Sequence, residues 1–289
     1  MANLRANNLT GTGGRNAIDG SISFKSENAY LSTTIDAIGT SDFTIEWWFK
    51  ATDKTEPGTA NRRVFRLGAN NATGSISINY DAVNNDIQWN YNDATLIGAS
   101  TIGIYDNSWY HIAAVREGTG SNETKLYING VLSDSATLSQ DLTQTAVQIG
   151  HDSTLSDDFG FYGDISNLRV TKSAVYTAAF TPPTEKLTIL TDTILLCCQD
   201  SDDPTQEATG KTITEVGDPV GSTYFPSVGV DEGVTFEGDI KMNSQGYMYF
   251  PTGITEQRGR GRGLTGGGWV TPGTATATIQ SIQIQSDGI

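Results

Sequence analysis

Short runs of alternating apolar and polar residues recur along most of this chain, separated by clusters of Gly, Asn, Asp and Ser. Successive side chains of a strand point to opposite faces of its sheet, so the alternation predicts half-buried strands. The candidate strands are SISFKS, AYLSTTI, FTIEWWFKA, RRVFRLG, SISINYD, DIQWNYN, SWYHIAAVREG, TKLYING, AVQIGHD, GDISNLRVTKS and DTILLCCQ. Many short strands with explicit turns predict an all-β sandwich.

The turns are as clear in the sequence as the strands. Asn129-Gly130 predicts a two-residue hairpin, because both central positions of a type I′ turn need positive φ. Asn84-Asn85 is a weaker signal of the same kind. The one helical candidate, KSAVYTAAF (172–180), is short and stops before two prolines.

Charge and cysteine usage limit the classes of partner. The chain has 33 acidic and 18 basic residues and a net charge of −15, which argues against nucleic acid. No apolar run reaches the length of a membrane span, and the N-terminus has no apolar core of a signal peptide, so we expect no membrane insertion. Cys197 and Cys198 are adjacent and have no distant partner. We expect two thiols on opposite faces of a strand, with a vicinal disulfide as the alternative, and folding in a reducing cytoplasm.

The composition changes along the chain and suggests three parts. We predict an N-terminal arm at 1–19, a sandwich at 20–226, and a small β module with a Gly-rich arm at 227–289. The RGRGRG stretch (258–263) is the only basic cluster, and it fits a connector to acidic groups of a neighbouring chain better than a nucleic-acid site.

The adjacent tryptophans of FTIEWWFKA must face opposite sides of a strand. Parity places Trp47 with Phe43, Ile45 and Phe49 in the core between two sheets. Trp48 then needs another cover, for which we consider the N-terminal arm, the tail after Gln199 or a second subunit. A large apolar ring is rarely left in water.

Several motifs in order resemble the concanavalin A-like, laminin-G-type jelly roll. They are WYHIA (109–113), YING (127–130) and the GDISNLRV strand (163–170), with FTIEWWFKA matching the family's early strand. This resemblance covers about residues 20–200 and implies a jelly-roll sandwich. The family's retained tryptophan aligns with Trp48. This alignment would reverse the assignment, with Trp48 in the core between the sheets and Trp47 on the other face.

A narrower resemblance concerns the version of this domain in virion proteins of marine and cyanobacterial tailed phages. It is carried by LRANNLTGTGGRNAIDGSISF, by NLRVTKSAVYTAAFTPPTEKLT, by LLCCQ with ATGKTIT, and by MYFPTGITEQRGRGRG leading into LTGGGW. The last junction is similar to the start of Kelch-like repeats, although about one repeat is present and no propeller can close.

Catalytic signals are weak. His111 and His151 are the only histidines, and Glu46 is the one carboxylate inside a strong strand, without a partner two residues on. The carboxylate spacing of glycosidases, the nucleophile elbow and the phosphate loop are all missing from the sequence. We therefore expect a protein that is not an enzyme.

Two kinds of binding site remain candidates. The family resemblance raises a calcium site, for which HDSTLSDDFG offers Asp152, Asp157 and Asp158. For glycan or partner binding, Trp48, Trp89 and Tyr91 are the candidate aromatics, because sugars stack on aromatic rings beside amides. Simple packing of these rings is the competing interpretation.

The resemblance implies a non-enzymatic phage structural protein on the virion surface, as a head decoration, whisker or fibre component. Its partners would be other virion proteins and copies of itself, with a trimer as one arrangement, because the arm TATATIQSIQIQ offers unpaired strand edges. The alternatives are a tail-fibre adhesin that recognises host-surface glycans, and a polysaccharide depolymerase on the same fold.

Overall fold

The computed structural model describes residues 18–26, 28–52, 61–98, 103–104, 107–153, 159–226, 241–242 and 248–249. Residues Ala17–Pro226 group into one compact unit. The two short strands Lys241–Met242 and Met248–Tyr249 pair with each other. The rest of the predicted 227–289 module, and the predicted arm up to residue 17, lie outside the described residues, so the three-part division stays a prediction.

Fifteen strands are described in the compact unit, and the described residues contain no α-helix. In chain order they are β1 Ser21–Phe24, β2 Tyr30–Thr34, β3 Phe43–Ala51, β4 Asn61–Leu67, β5 Ile76–Asp81, β6 Asp86–Tyr91, β7 Ala94–Ile97, β8 Tyr110–Arg116, β9 Thr124–Ile128, β10 Val131–Ala136, β11 Ala146–Ile149, β12 Gly163–Thr171, β13 Thr193–Cys197, β14 Thr214–Val216 and β15 Val220–Ser222. It follows that no helix among the described residues could cross a bilayer.

The strands form two antiparallel sheets. The eight-stranded sheet runs β10-β9-β8-β3-β12-β1-β15, with β13 also paired to β12. The seven-stranded sheet runs β14-β2-β11-β4-β5-β6-β7. Several neighbours in space are distant in sequence, as in a jelly roll. The all-β sandwich predicted from the sequence is confirmed.

An apolar core fills the space between the sheets. Trp47 and Phe43 enter it from β3, and Trp89 enters from β6, all fully buried. The ring of Phe43 meets the ring of Trp89 edge-on at 5.9 Å between centroids. Burying a large side chain of this kind contributes roughly 1.5–3 kcal/mol. The parity prediction for Trp47 is therefore correct.

Trp48 faces the other side of the eight-stranded sheet and is 2% exposed. Its ring lies 5.1 Å from that of His111 on β8. The layer over this part of the sheet is the chain's own β12–β13 connection, from which Tyr176 and Phe180 reach the His111 ring. On the same face of β3, Nζ of Lys50 lies 4.9 Å from the centre of the Tyr224 ring, which belongs to the tail after Gln199. The N-terminal arm, that tail and a second subunit therefore stay predictions for the cover of Trp48 itself.

The same connection shows why KSAVYTAAF is not a helix. The backbone N–H of Val175 donates to Oγ1 of Thr44, and that of Phe180 donates to the carbonyl of Gly130. These donors would be used within the segment if it were helical. The rings of Tyr176 and Phe180 stack at 3.6 Å, so the segment is held by the sheet below it.

The cysteine pair departs from the expected strand geometry. β13 ends at Cys197, and Cys198 has a positive φ of 61°, which turns the chain. Both side chains join the same core, so they are not on opposite faces. The two sulfurs are 3.7 Å apart and both thiols are free. Contact with the Cys198 thiol, and then burial, raise the pKa of Cys197.

The Asn129-Gly130 prediction is confirmed. The two residues have φ of 50° and 76° and join β9 to β10 with Ile128 opposite Val131. Position 130 requires glycine for a second reason as well, because a Cβ there would collide with the carbonyl oxygen of Phe180. Asn85, in the other predicted turn, has φ of 59°.

Candidate ligand-binding face

The outer face of the seven-stranded sheet is unusually polar where β4, β5 and β6 run side by side. In β5, Ile76, Ile78 and Tyr80 belong to the core, so the alternate side chains point outward. The strand register places side chains of the neighbouring strands β4 and β6 beside these outward side chains of β5. We call the polar face the set Asn61, Arg63, Arg66, Ser77, Asn79, Asp81, Asp86, Gln88 and Asn90.

The polar face consists of three rows that cross the strands. The rows are Asn61–Asp81–Asp86, Arg63–Asn79–Gln88 and Arg66–Ser77–Asn90. A bulge at Val64 is essential, because it turns Val64 and Phe65 both into the core and leaves Arg63 and Arg66 outward. Rows are about 7 Å apart along the strands and strands about 4.8 Å apart, so the face measures about 14 by 10 Å.

Much of the hydrogen-bonding capacity of this face has no partner within the described part of the chain. Asn79 is fully buried, and among the described residues neither its amide oxygen nor its nitrogen is bonded. Oγ of Ser77 and Oδ1 of Asn90 are likewise buried and unbonded there. Buried polar groups are normally paired, and leaving one unpaired costs about 1–3 kcal/mol. Ser77, Asn79 and Asn90 thus keep hydrogen-bonding capacity that the described residues do not use.

The two arginines of the face differ in their partners. Arg66 donates from Nη1 and Nη2 to both oxygens of Asp93, at 2.5 and 3.2 Å, and its Nε lies 3.4 Å from Oδ2 of Asp152. Within the described residues, Arg63 has a 4.0 Å ion pair, from Nη2 to Oδ1 of Asp93, and its guanidinium carbon lies 5.4 Å from the centre of the Phe159 ring. Its Nε and Nη1 are buried with no hydrogen bond to any residue described. Arg66 is therefore neutralised by two carboxylates, whereas Arg63 is poorly compensated.

The pKa of Arg63 shows the same imbalance. Burial lowers the pKa of this guanidinium first, and the charge of Arg66 lowers it further. The carboxylates of Asp152 and Asp93 raise the pKa of Arg63, but the net effect is a lowered pKa. Its surroundings thus disfavour the positive charge that a guanidinium always carries.

The carboxylates of the first row have different environments. Oδ1 of Asp81 accepts from the backbone N–H groups of Val83 and Asn84, and its Oδ2 accepts from Nε2 of Gln88 at 2.9 Å. Asp86, opposite Asp81, has a buried Oδ1 that meets no partner among the described residues. Burial, and then the charge of Asp81, raise the pKa of Asp86 to about 6. Asp81 thus holds the β5–β6 turn.

The proposed calcium loop lies beside the polar face. Asp152 is fully buried against Arg66, whereas Asp157 and Asp158 lie outside the described residues. Among the residues that are described, no three His, Cys, Asp or Glu side chains come together as a metal site. The guanidinium beside Asp152 competes with any cation there, and the calcium site stays a prediction.

The aromatic candidates are packed within the sandwich. Trp89 is fully buried in the core, and Trp48 is buried on the other face of the eight-stranded sheet. Tyr91 is half-buried and packs against the core. In DIQWNYN it is the amide side chains, Gln88 and Asn90, that face outward. The candidate site therefore rests on amides and arginines that the aromatic pattern did not indicate, and ligand contact by the three rings stays a prediction.

The strand carboxylate, Glu46, sits in a separate cluster under the β12–β13 connection. It is fully buried, and its Oε1 accepts from Nε and Nη2 of Arg169 at 3.0 and 2.5 Å. Its Oε2 accepts from the Tyr176 hydroxyl at 2.7 Å and lies 3.2 Å from Nε2 of His111. Burial alone would raise the pKa of Glu46, but His111, Arg169 and Tyr176 outweigh it and hold the pKa below its ordinary value. This is a structural cluster closed from water.

Residues 25–179, more than half of the chain, match the family model described as Laminin_G_3, concanavalin A-like lectin/glucanases superfamily. This chain belongs to that family. The family has a lectin-like fold, and the laminin-G-type jelly roll expected from the motifs is confirmed. No curated protein sequence matches the chain.

The chain is similar to several solved structures at low sequence identity. A candidate carbohydrate-binding protein from Bacteroides ovatus is 14% identical with a TM-score of 0.50, over 71% of this chain and 62% of that one, and it shares the fold. The heptameric SAP-like pentraxin from Limulus polyphemus is 15% identical with a TM-score of 0.46, over 68% of this chain and 94% of that one. Mouse laminin α1 domains LG4-5 are 16% identical with a TM-score of 0.38, over 57% of this chain and 47% of theirs. The chain thus spans less than two thirds of the length of the Bacteroides protein.

Proposed function

We propose that this chain is a non-enzymatic surface protein of a tailed-phage virion and that its polar face binds host-surface carbohydrate. The observation that carries the binding is the set of buried groups on Ser77, Asn79 and Asn90 that have no partner among the described residues. The lectin-like fold supports the same function. Of the functions that the sequence suggested, the adhesin is thus the one that this geometry favours.

The chemistry of the polar face suits a sugar better than an apolar ligand. A sugar hydroxyl both donates and accepts, and the Asn79 amide offers one donor group and one acceptor on the same side chain. A site built to hydrogen-bond hydroxyls rejects ligands that lack them, because its own groups would then stay unpaired.

The non-enzymatic character is supported by how the carboxylates are used. Glycosidases need two carboxyl groups that flank the bond, one of them free to give a proton. Glu46 is enclosed by Arg169, His111 and Tyr176, and the Asp81 oxygens are occupied by the turn. Asp86 has a pKa raised to about 6, which gives it acid character, and the depolymerase alternative would have to use it.

A glycan array tests the binding claim with three proteins. The wild type should bind particular oligosaccharides, and Asn79→Leu, which changes an amide into an apolar group of similar size, should lose them. Asn79→Leu should still fold, because it removes a buried unpaired amide. Gln140→Leu makes a similar change at an exposed residue outside the face and should bind as the wild type does. Equal binding by all three proteins would remove the polar face from the proposal.

The virion location rests on the phage-type motifs and needs its own test. Antibody-gold labelling of purified particles should mark the tail or fibre tips if the protein is an adhesin. Regular labelling over the head would favour decoration, with binding to other virion proteins and to copies of itself. Absence of label on intact particles would contradict the virion proposal, while the array result would stand.

A further inference from the structure

A cleft at one end of the eight-stranded sheet lies apart from the polar face. It is placed where the loop between β2 and β3 meets the turn that precedes β13, and its volume is about 440 Å³. The residues that line it are Ser41, Lys172, Thr191, Asp192, Thr193 and Ile194. Sites for small ligands typically measure about 300–1,000 Å³. The cleft is therefore large enough for a small ligand, and it is open to solvent.

Hydrogen bonds to the surrounding framework hold both walls of the cleft. On one side, the buried Arg116 donates from Nε and Nη2 to the Ser41 carbonyl at 3.0 and 2.6 Å. On the other side, the backbone N–H of Lys172 donates to the Asp192 carbonyl at 2.8 Å. Nζ of Lys172 also donates to the carbonyl of Ala37 at 2.9 Å, which joins the two walls. A site that is formed before its ligand arrives loses little free energy to ordering on binding.

The side chains in the cleft combine donors, acceptors and one apolar group. The hydroxyls of Ser41 and Thr191, both on exposed residues, can donate and accept. The Lys172 ammonium has three N–H donors, of which one holds the walls together. The exposed carboxylate of Asp192 only accepts. Ile194 is partly buried against the core and adds an apolar patch.

The charges of the cleft favour a neutral ligand. Lys172 brings one positive charge and Asp192 one negative charge, so an anion would meet the carboxylate and a cation would meet the ammonium. The net charge of −15 further disfavours an anionic ligand. A sugar hydroxyl both donates and accepts, so a neutral sugar can bond to both charged groups at once.

We propose that this cleft is a second carbohydrate site and that it binds one neutral sugar residue. Lys172 donates to hydroxyl groups of the sugar, Asp192 accepts from them, and the hydroxyl of Thr191 does either. The C–H groups of the sugar rest on Ile194. The site uses no residue of the polar face, so it does not rest on the proposed function. Two sites on one chain would raise its avidity for a surface that carries many glycans.

Chemical-shift titration of the full chain by NMR tests the site. The probes are glucose, galactose, mannose and N-acetylglucosamine, each added up to about 50 mM, because a site with few hydrogen bonds binds with a Kd of about 1 mM. At least one probe should shift the backbone amide resonances of Lys172 and of residues 191–194 in a saturable way. No saturable shift there with any of the four probes would overturn the proposal. Glucuronate should bind no more tightly than the best neutral probe, and tenfold tighter binding would contradict a neutral ligand.

Three variants assign the shifts to the cleft. Thr191→Val removes one hydroxyl and keeps the shape of the side chain, so it should raise the Kd roughly two- to tenfold. Lys172→Met removes a charged donor and should raise the Kd at least about tenfold. Thr188→Val is the matched control, because Thr188 is also exposed and lies outside the lining of the cleft, and it should bind as the wild type does. Unchanged binding by both Thr191→Val and Lys172→Met would overturn the proposal.

Asn79→Leu separates this inference from the proposed function. It should leave the shifts at the cleft unchanged while it abolishes the binding seen on the glycan array. If the cleft shows no shift but the array result holds, the inference is wrong and the proposed function stands. If the cleft shifts but Asn79→Leu binds the array as the wild type does, the polar face is not the site and the inference stands.

Discussion

Replacing Glu46 by glutamine should strongly destabilise the sandwich. The side chain is fully buried, and it compensates Arg169, which is 4% exposed. A glutamine amide would offer one oxygen where the carboxylate offers two, and the Arg169 charge would stay buried without its counter-ion. Breaking a buried pair in this way costs about 3–5 kcal/mol. With a slope of about 2–3 kcal/mol/M, the midpoint in urea should fall by about 1–2.5 M.

Urea unfolding followed by far-UV circular dichroism measures this change. Asp19→Asn is the matched control, because Asp19 pairs with Lys186 at 2.6 Å on the surface and should contribute less than about 1 kcal/mol. Tyr176→Phe is a milder probe that keeps the ring stack on Phe180 and removes one bond to a charged group, about 1.5–3 kcal/mol. A Glu46→Gln midpoint equal to that of Asp19→Asn would refute the reasoning.

The sign of the pH effect follows from the same cluster. The pKa of Glu46 is held below its ordinary value of 4.5. Its contribution to stability is therefore complete above about pH 4.5 and is lost as the pH falls through the folded pKa. The wild type should lose more stability than Glu46→Gln over that acidic range, so that the two stability curves converge at low pH.

Three further changes test other parts of the fold. Gly130→Ala places a Cβ against a backbone oxygen, whereas Gly210→Ala also has a positive φ but open space around it. Gly210→Ala should lower the free energy of unfolding by about 1 kcal/mol, and Gly130→Ala should lower it more. Equal unfolding midpoints for the two variants would contradict the close approach at Gly130. Cys197 and Cys198 should react with a thiol reagent only at the rate of unfolding, and fast labelling of the native protein would show that they are open. In the folded protein the pKa of Asp86 is raised to about 6, so its charge destabilises the fold above that pH. This destabilisation becomes smaller as the pH falls toward the ordinary value of 3.8. Asp86→Asn should therefore gain stability relative to wild type above about pH 6, a gain that shrinks as the pH falls toward about 4, and a pH-independent difference would argue against the raised pKa.

Strand alternation and turn chemistry were sufficient to predict the sandwich. Parity alone separated Trp47 from Trp48, because the two faces of β3 pack against different layers. The layer over His111 was not predictable from periodicity. The β12–β13 connection that forms this layer is irregular and is held by hydrogen bonds to distant residues, such as Thr44 and Gly130.

The polar face was missed for a different reason. Its rows exist only once β4, β5 and β6 are in register, and the bulge at Val64 decides which way the arginines point. The predicted binding site was based on the aromatic residues of DIQWNYN. In the structure Trp89 and Tyr91 point inward and Asn90 points outward. A pattern of alternating residues defines two faces but does not say what each face will contact. The run SISINYD, with polar residues between apolar ones, was the signal that could have located the face.

The claim that the polar face is the carbohydrate site is tested most directly by amide hydrogen exchange with and without a bound oligosaccharide. The account predicts slower exchange for β4, β5 and β6, centred on Asn79, with β8, β9 and β10 of the other sheet unchanged. Protection confined to the other sheet, or to loops away from Asn79, would contradict it.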